Sequence, residues 1–358
     1  MNIYYDSRWT RFPFHDGISR YGAGIVQGFK DNKIPITLLV KDKRQLKMLP
    51  PDIPYLLIND PLSVKELFIA NKLNKLGADA VISPFQIIGT WGRKYRLIVT
   101  LHDTIYYLHP QAPTDMALSQ RIAWRLFHMA KWPQRILLNN ADKVATVSNY
   151  SRGNIQKLGL TDREICVIYN APSLDKSQMH RSPEITKNII YMGSFMPYKN
   201  VEVLIKGMAD LPEGFTLHLL SKILDDRKSE LSKLIKPNVN VVFHNGVSDD
   251  EYIKLLQSAY CLASASKEEG FGLPIIEAQM IGTPVVCSDM TIFHEVAGDG
   301  ALFFDYNSPE KFANQVLKLN DKKFQDDLVE RGHVQAEKFS WKQSAKKLYD
   351  ICQKIPKK

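Results

Sequence analysis

The chain repeats one pattern twice, because short aliphatic and β-branched runs alternate with segments of helical spacing. The apolar runs of the first half are "NIYYD", "IPITLLVK", "ADAVISP", "RLIVTLHD" and "DKVATVS". Those of the second half are "NIIYMGS", "FTLHLLS", "VNVVFHNG", "YCLAS" and "TPVVCSD". Continuously apolar strands separated by helices are typical of parallel sheets covered on both faces. Since 358 residues exceed one ordinary core, the pattern predicts an α/β chain of two doubly wound domains.

A polar stretch with two prolines, "APSLDKSQMHRSPEITK", interrupts the pattern and is typical of a linker. We therefore expect a first domain over 1–172, a linker over 173–185 and a second domain over 186–340. Two such domains would face each other across a cleft, with the carboxyl ends of both sheets at its walls. Ligands bind at that edge of doubly wound sheets.

Composition excludes several classes of protein. No apolar run approaches the roughly 18 residues of a membrane-spanning helix, and the N-terminus lacks the apolar core of a signal peptide. We therefore expect a cytoplasmic protein. The four cysteines are scattered without a CxxC pair, which favours reduced thiols over a disulfide framework or a zinc site.

Positive charge is concentrated in the first half of the chain. Residues 1–170 carry 23 Lys and Arg against 13 Asp and Glu, whereas residues 171–358 carry 24 against 25. The segment "SQRIAWRLFHMAKWPQRILL" interleaves this charge with aromatic rings, as in Arg121, Trp124, Arg125 and Trp132. Such a segment suits peripheral docking on an anionic membrane, and here it would be the inner face of the cell membrane. The alternatives are the buried face of a domain helix and charge that serves solubility alone. No nucleic-acid-binding motif accompanies it, so we expect no nucleic acid partner.

The stretch "EEGFGLPIIEA" follows an apolar strand and leads into a helix. Gly270 and Gly272 permit close backbone approach, and a proline fits the first turn of the helix. The backbone amides of Phe271, Gly272 and Leu273 would then lie at a helix N-terminus, where anions bind. The stretch is neither a P-loop nor a dinucleotide fingerprint.

Two carboxylates flank this predicted anion site, Glu269 and Glu277. A carboxylate accepts two hydrogen bonds side by side, which matches the vicinal hydroxyls of a sugar or a ribose. A nucleotide sugar carries such a diol on each side of its diphosphate, so one acid for each ring would explain the spacing. Alternatively, Glu277 complements the helix dipole and Glu269 is solvated.

Beyond this loop, the sequence resembles the retaining glycosyltransferases of the GT-B fold, family 4. "EGFGLPIIEAQMIGTPVV" is similar to their E-x7-E signature, and "YMGSFMPYKNVEVLIKGM" to the segment that carries a phosphate-binding lysine. In the first half, "DGISRYG" resembles the family's first glycine-rich loop and "LIVTLHDTIYYLHP" its strand ending in His-Asp. "FSWKQSAKKLYDI" looks like the last helix, about 341–358, which in the family packs back on the first domain.

The resemblance implies a role for particular residues. Glu277 would hold the ribose, Glu269 the transferred sugar, and Lys199 the diphosphate as it departs. His102 would contact the donor sugar, and Gly17 would let the first loop approach the phosphate. The family generally works without a metal, and it has no firmly assigned protein nucleophile.

One departure from the family pattern concerns phosphate binding. Many relatives place an arginine shortly before the lysine, but Ser194 and Tyr198 stand there in this chain. The second positive contact to the diphosphate would then be missing, or would come from elsewhere, for instance from Arg20 or Lys222. Asp103 would act as the base for the acceptor or would simply cap the following turn.

The function that these residues predict is metal-independent transfer of a hexosyl unit, with retention, from a nucleotide diphosphate sugar. The acceptor would be a saccharide or a lipid-linked glycan, in the assembly of cell-surface polysaccharide or lipopolysaccharide. Two alternatives stay open from the sequence. One is a phosphorylase or sugar-nucleotide epimerase using the same two-domain arrangement, and the other is a non-catalytic sugar-nucleotide-binding scaffold.

Overall fold

A computed structural model of the chain describes residues 1–110, 118–174 and 176–356. It divides into two compact units, Met1–Ala171 with Phe339–Lys358, and Pro172–Lys338. Asp175 of the predicted linker and residues 357–358 of the predicted last helix lie outside the described residues.

The first unit alternates strands and helices. Its strands are β1 (Ile3–Asp6), β2 (Thr37–Val40), β3 (Tyr55–Leu57), β4 (Ala80–Ser83), β5 (Arg96–Thr100), β6 (Lys143–Thr146) and β7 (Ile165–Val167). Its helices are α1 (Gly17–Asp31), α2 (Ile69–Lys75), α3 (Ile105–Leu108), α4 (Leu118–Met129), α5 (Lys131–Asn139) and α6 (Asn149–Leu158). A 3-10 helix, Val64–Phe68, leads directly into α2.

The second unit follows the same scheme. Its strands are β8 (Asn188–Tyr191), β9 (Thr216–Leu219), β10 (Asn240–Phe243), β11 (Cys261–Ser264), β12 (Val285–Ser288) and β13 (Leu302–Phe304). Its helices are α7 (Val201–Gly207), α8 (Asp225–Ser232), α9 (Asp249–Ser258), α10 (Leu273–Ile281), α11 (Thr291–Ala297), α12 (Pro309–Lys318) and α13 (Lys322–Ala336). The chain then returns to the first unit in α14 (Trp341–Lys354).

Each unit is built on one parallel sheet, counted over the described residues. The order is β3-β2-β1-β4-β5-β6-β7 in the first unit and β10-β9-β8-β11-β12-β13 in the second. In the first sheet, Tyr5 of β1 lies in register with Leu38 on one side and Ile82 on the other. These sheets confirm the predicted fold class, two doubly wound Rossmann-like domains.

Helices cover each sheet because its strands are apolar on both faces. In the first unit, α2 buries Leu73, α5 buries Leu138 and α6 buries Ile155. These side chains pack against alternate residues of β4, β5 and β6, such as Val81 and Leu97. The second unit has a core of the same kind around Ile189, Leu217 and Val286.

Helix α14 packs along α1 on the first unit. A β-carbon added at Gly24 would lie 2.2 Å from the Trp341 ring, and one at Gly28 would lie 2.1 Å from the Trp341 carbonyl oxygen. Glycines at these two positions therefore let the helix backbones approach closely. The Tyr21 ring also meets the Trp341 ring edge-on, at 5.9 Å between centroids.

The segment predicted as a linker lies along the second unit. The Ser182 backbone amide donates to the Gln257 carbonyl at 3.0 Å, and Thr186 donates likewise to Ser258 at 2.9 Å. The Arg181 guanidinium donates to the Ala259 carbonyl at 2.8 Å. None of the helices in the described part of the chain is long and apolar enough to cross a membrane.

Candidate functional site

The loop between β11 and α10 has the backbone that its glycines predict. Gly272 is the N-cap of α10 with φ at +101°, a left-handed conformation that favours glycine, and Pro274 lies in the first turn. A β-carbon at Gly272 would also lie 3.0 Å from the Phe293 ring. Gly270 and the Phe271 side chain are buried, whereas Leu273 is half-buried. The helix ends at Gly282, where φ is +88°.

Lys199 and Glu269 meet although 70 residues separate them. The Lys199 ammonium lies 2.5 Å from Oε1 of Glu269, and each side chain is 15% exposed. Ser266 donates a further hydrogen bond to the same oxygen at 3.0 Å. Lys199 also lies 5.4 Å from the centre of the Tyr198 ring. An ammonium and a carboxylate are therefore held together at the carboxyl end of β11.

Asn200 fixes the position of Lys199. Its backbone is left-handed, with φ at +55°, and its buried side-chain amide donates to the carbonyls of Ala265, at 3.1 Å, and Tyr306, at 2.7 Å. The Lys267 amide donates to the Tyr198 carbonyl at 2.7 Å. The loop before α7 and the loop after β11 are thus joined by backbone and side chain alike.

Glu277 lies inside the unit, in the middle of α10. Its carboxylate is buried, and Oε2 accepts a hydrogen bond from the Tyr252 hydroxyl of α9 at 2.9 Å. The alternative in which Glu277 merely complements a helix dipole does not require this partner. A buried carboxylate with a fixed orientation is suited to receiving a diol.

The positions shortly before Lys199, where the family resemblance implies an arginine, have other contacts here. The Ser194 carbonyl accepts from the Tyr191 hydroxyl at 2.5 Å, and burial together with the negative charge of Glu269 raises the pKa of Tyr191 well above its ordinary value. Arg227 of α8 reaches the same loop and donates to the Phe195 carbonyl at 3.0 Å. Its charge is paired with Glu202, at 2.5 Å, and Glu230, at 3.0 Å. Lys222 lies after β9, against Gly246.

His102 follows β5 in the first unit. Its Nε2 lies 2.8 Å from the Pro84 carbonyl, which can only accept, so Nε2 carries the proton. Burial lowers the pKa of His102, which therefore stays neutral near pH 7 and leaves Nδ1 as an acceptor. The ring packs edge-on against Tyr21 of α1, 4.8 Å between centroids.

The other predicted residues of the first unit lie near helix starts. Gly17 is the first residue of α1, after the cap Asp16, and a β-carbon there would have nothing within 4 Å. Arg20 lies in the first turn of the same helix. Oδ1 of Asp103 accepts from the Ile105 amide at 3.0 Å, which favours its interpretation as the cap of the turn before α3.

The predicted membrane segment forms α4 and α5. Arg121, Arg125 and Trp132 are exposed. Trp124 instead packs on the protein, with its ring 4.1 Å from the His128 ring and 5.0 Å from the Tyr106 ring.

Sequence reasoning missed three residues that contact the predicted residues of the second-unit site, Asn200, Ser266 and Tyr252. Asn200 follows Lys199 directly, and Ser266 precedes Glu269 by three residues. Their closeness in sequence to the two predicted residues was the signal that could have identified them. Tyr252 lies on a different helix, and only the folded structure reveals its contact. Among the described residues, no group of three or more His, Cys, Asp or Glu side chains is arranged to hold a metal ion.

The site can bind a molecule that carries both negative charge and hydroxyl groups. One ammonium and a glycine-started helix suit phosphate oxygens, while two carboxylates suit hydroxyl donors. Activated sugars combine these two kinds of group.

Comparison with known families agrees with this chemistry. A family model described as "Glycosyl transferases group 1" matches residues 174–335, and one described as "Glycosyltransferase Family 4" matches residues 16–176. The two together cover most of the chain. The protein belongs to the family 4 glycosyltransferases, and its fold is GT-B.

Curated relatives place it near mannosyltransferases. The chain is 28% identical to the O-antigen chain mannosyltransferase RfbU of Salmonella typhimurium, over 62% of this chain and 60% of that protein. It is also 28% identical to O-antigen chain mannosyltransferase B of Escherichia coli, over 70% of this chain and 68% of that protein. The chain thus spans 60% and 68% of the length of these two relatives.

A solved structure shares the fold over nearly the whole of this chain. Alr3699/HepE of Anabaena, in complex with UDP, superposes with a TM-score of 0.75 over 99% of this chain and 100% of that one. The two are 16% identical, so this likeness concerns the fold alone.

Proposed function

We propose that this chain transfers a mannosyl unit from a nucleoside diphosphate mannose to a saccharide or lipid-linked glycan during O-antigen-type polysaccharide assembly. Family membership supports glycosyl transfer, and the O-antigen mannosyltransferases support the sugar and the acceptor class. The observation that carries the proposal is the Lys199–Glu269 pair at the carboxyl end of β11.

The proposed donor position follows from the charges of the second unit. Lys199 faces the diphosphate, Glu269 the hydroxyls of the transferred sugar, and Glu277 those of the ribose. The departing diphosphate gains negative charge, so a fixed ammonium stabilises the transition state more than the bound donor. The anomeric configuration is retained, because the acceptor attacks on the face from which the diphosphate leaves. Gly17 and His102 keep the roles that the family implies for them.

Substitution of the pair tests the proposal. Lys199→Met and Glu269→Gln should each lower transfer at least ten- to a hundredfold, because one charge-assisted hydrogen bond contributes about 1.5–3 kcal/mol. Transfer is measured from GDP-mannose to an oligosaccharide acceptor, and the anomer of the product is read by NMR. Lys267→Met is the matched control, since that exposed lysine is in the same loop and contacts Tyr198 through its backbone.

Full activity of Lys199→Met or Glu269→Gln would refute this mechanism, and an inverted product would refute retention. Thermal unfolding with GDP-, UDP-, dTDP- and ADP-sugars identifies the donor independently of the acceptor. A donor at 100 times its Kd should stabilise the protein by about 2.7 kcal/mol.

We also propose that transfer requires no metal, because Lys199 supplies positive charge to the diphosphate. Activity should survive EDTA unchanged. Abolition by EDTA, with recovery on adding Mn²⁺ or Mg²⁺, would contradict this part of the proposal.

Peripheral contact with an anionic membrane belongs to the same proposal, since a lipid-linked acceptor resides there. Helices α4 and α5 support it, because Ile122, Leu126 and Met129 lie exposed on one side of α4 beside Arg121 and Arg125. Cosedimentation with anionic vesicles at low and high salt measures it. Absence of salt-sensitive binding would rule this contact out.

A further inference from the structure

Four strands form the edges of the two sheets, β3 and β7 in the first unit and β10 and β13 in the second. An edge strand presents a row of backbone donors and acceptors that could pair with another chain. Proteins ordinarily blunt such a row with prolines, charges or a covering side chain. Three of the four edges of this protein are blunted in these ways, and the edge formed by β10 is not.

The edges of the first sheet carry prolines and charges. Four prolines lie in residues 50–61, on both sides of β3. Strand β7 has only three residues and follows Arg163 and Glu164 directly, and Glu164 is paired with Lys143 of β6. Prolines lack the amide donor, and charges would have to leave water when strands pair. Both edges therefore disfavour the addition of another strand.

A side chain blunts the edge formed by β13 in the second sheet. The Phe304 carbonyl accepts from the Asp289 amide at 2.7 Å, so the backbone groups of Phe304 face β12. Backbone groups alternate in direction along a strand, so those of Phe303 point away from the sheet. The Phe303 carbonyl accepts there from the Gln315 side-chain amide of α12, at 2.7 Å. The outward acceptor of this edge is therefore already occupied.

The outward backbone groups of β10 are not occupied in this way. The His244 amide, directly after the strand, donates to the Leu219 carbonyl of β9 at 3.0 Å, so His244 faces β9. By the same alternation, the backbone groups of Val241 and Phe243 point away from the sheet. In the described part of the chain, no side chain forms a hydrogen bond to these outward groups. They are therefore available to a further strand.

The side chains of this edge are also uncovered and uncharged. Residues 237–248 contain no Lys, Arg, Asp or Glu, and their one proline, Pro237, precedes β10 by three residues. Val242 is 40% exposed, and Asn240 is exposed as well. An exposed edge without charges favours pairing with another strand.

Opposite charges flank this uncharged segment. Lys233 and Lys236 precede it, and three acids follow it directly; all five side chains are exposed, the acids being Asp249, Asp250 and Glu251. In an antiparallel pair of identical strands, the start of each strand lies beside the end of the other. The lysines of one copy would therefore lie near the acids of its partner at both ends of the pair. A parallel pair would oppose like charges instead.

We propose that β10 pairs with β10 of a second copy of this chain, antiparallel about a twofold axis at Val242. The two six-stranded sheets of the second units then form one continuous sheet. In this register the outward backbone groups of Val241 meet those of Phe243 of the partner subunit, and the two Val242 side chains lie opposite each other. Both copies use the same strand, so the association closes at the dimer. It does not depend on the proposed reaction.

Sedimentation velocity of the full chain over a range of concentrations measures this association. The unsubstituted chain should form a dimer as the concentration rises. Val242→Lys and Val242→Glu should each raise the dissociation constant of the dimer at least about tenfold, because like charges directly opposite on paired strands repel. An equimolar mixture of the two variants should recover the dimer, since opposite charges then face each other. The mixture also shows that both variants are folded.

A matched control lies on α13 of the same unit. Val334 is 56% exposed and is remote in sequence from β10. Val334→Lys and Val334→Glu add the same charges to an exposed valine, and both variants should dimerise as the unsubstituted chain does. An equal rise of the dissociation constant in the variants of Val242 and Val334 would show that net charge, and not the pairing of β10, is responsible, and would overturn the inference.

A cysteine at the proposed axis tests the register. Two residues opposite each other in a non-hydrogen-bonded antiparallel pair have Cα atoms about 4.5 Å apart, which a disulfide can span. Val242→Cys, combined with Cys166→Ser, should therefore give a disulfide-linked dimer on mild oxidation, seen by non-reducing electrophoresis. The three remaining cysteines are buried. Val334→Cys in the same background should give no such dimer. Absence of the disulfide in a dimeric sample of Val242→Cys would refute the axis at Val242.

Two further results would overturn the inference while leaving the proposed reaction untouched. In the first, the unsubstituted chain stays monomeric at every concentration at which it is soluble, and Val242→Cys forms no disulfide. In the second, a dimer forms but its dissociation constant is the same for Val242→Lys, Val242→Glu and the unsubstituted chain, because another surface then holds the two copies together.

Discussion

Lys199 and Glu269 neutralise each other where the proposed donor would bind. The two side chains are mostly buried, and their contact keeps both in place before any ligand arrives. A diphosphate would compete with Glu269 for the ammonium, which frees carboxylate oxygens for sugar hydroxyls. Binding of the two halves of the donor would thereby be coupled through one ion pair.

Tyr252 offers a test of how Glu277 is positioned. Its hydroxyl donates to the buried carboxylate at 2.9 Å, so Tyr252→Phe removes one hydrogen bond and little volume. We expect KM for the nucleotide sugar to rise about three- to tenfold with kcat nearly unchanged, because ribose contacts are equal in ground and transition states. Steady-state kinetics with varied donor measure both constants.

Tyr260→Phe is the control for this substitution, since that hydroxyl contacts Asn320 at 2.8 Å, away from Glu277. A fall in kcat for Tyr252→Phe with an unchanged KM would show that Tyr252 does not act through donor binding.

The sequence identifies residues of this site only where a short motif carries them. Glu269, Gly272 and Glu277 share one loop and helix, so their spacing suggests a common role, but it also fits a solvated Glu269 and a Glu277 that complements the helix dipole. Family resemblance assigns Lys199 and Glu269 to one donor site, but the sequence does not predict their contact, which depends on two strands becoming neighbours. Tyr252 and Asn200 act through hydrogen bonds that no local pattern encodes.

Elements were predictable where hydrophobic pattern and end signals agree. Gly159 ends α6 with φ at +64°, and Ser248 caps α9 by accepting from the Glu251 amide at 3.2 Å, both as their sequence positions predict. The short strands β3, β7 and β13 were not predicted, since three residues carry too little pattern. Helix α8 begins at Asp225, and Asp225 and Asp226 stabilise its first turn.

Because α1 and α14 are in close contact, one methyl group added between them should lower the unfolding free energy substantially. Gly24→Ala or Gly28→Ala should lower the unfolding free energy by about 1–3 kcal/mol, because the added carbon overlaps the Trp341 ring or backbone. Denaturant unfolding measures this. Gly153→Ala in α6 is the control, since a β-carbon there has nothing within 4 Å and helix propensity should raise stability by up to about 1 kcal/mol.

An unchanged unfolding free energy in Gly24→Ala and Gly28→Ala would mean that α14 does not pack on α1 in solution. A lower unfolding free energy in Gly153→Ala as well would mean that overlap with Trp341 is not the cause of the loss.

At the scale of the whole molecule, three partly buried histidines should make stability depend on pH. Burial lowers the pKa of His102 and His128 in the first unit and of His218 in the second. Between the unfolded pKa, about 6.5, and the lower folded pKa, the unfolded chain binds protons that the folded chain does not. The unfolding free energy should therefore be fully present above about pH 6.5 and fall as the pH is lowered below it.

Denaturant unfolding at pH 7.5 and pH 5.5, at equal ionic strength, measures this change. Replacing His128 and His218 with glutamine should reduce the loss of unfolding free energy between pH 7.5 and pH 5.5. An unfolding free energy that is constant or rises toward pH 5.5 would contradict the assignment of neutral, partly buried histidines.

The return of α14 to the first unit also constrains the order in which the protein can be made. While the ribosome is still synthesising the second unit, the strip of α1 around Gly24 and Gly28 has no covering helix. The first unit can complete its fold only after α14, which is translated more than 300 residues after Gly24. Its unfinished surface would be a natural substrate for chaperones that bind nascent polypeptides.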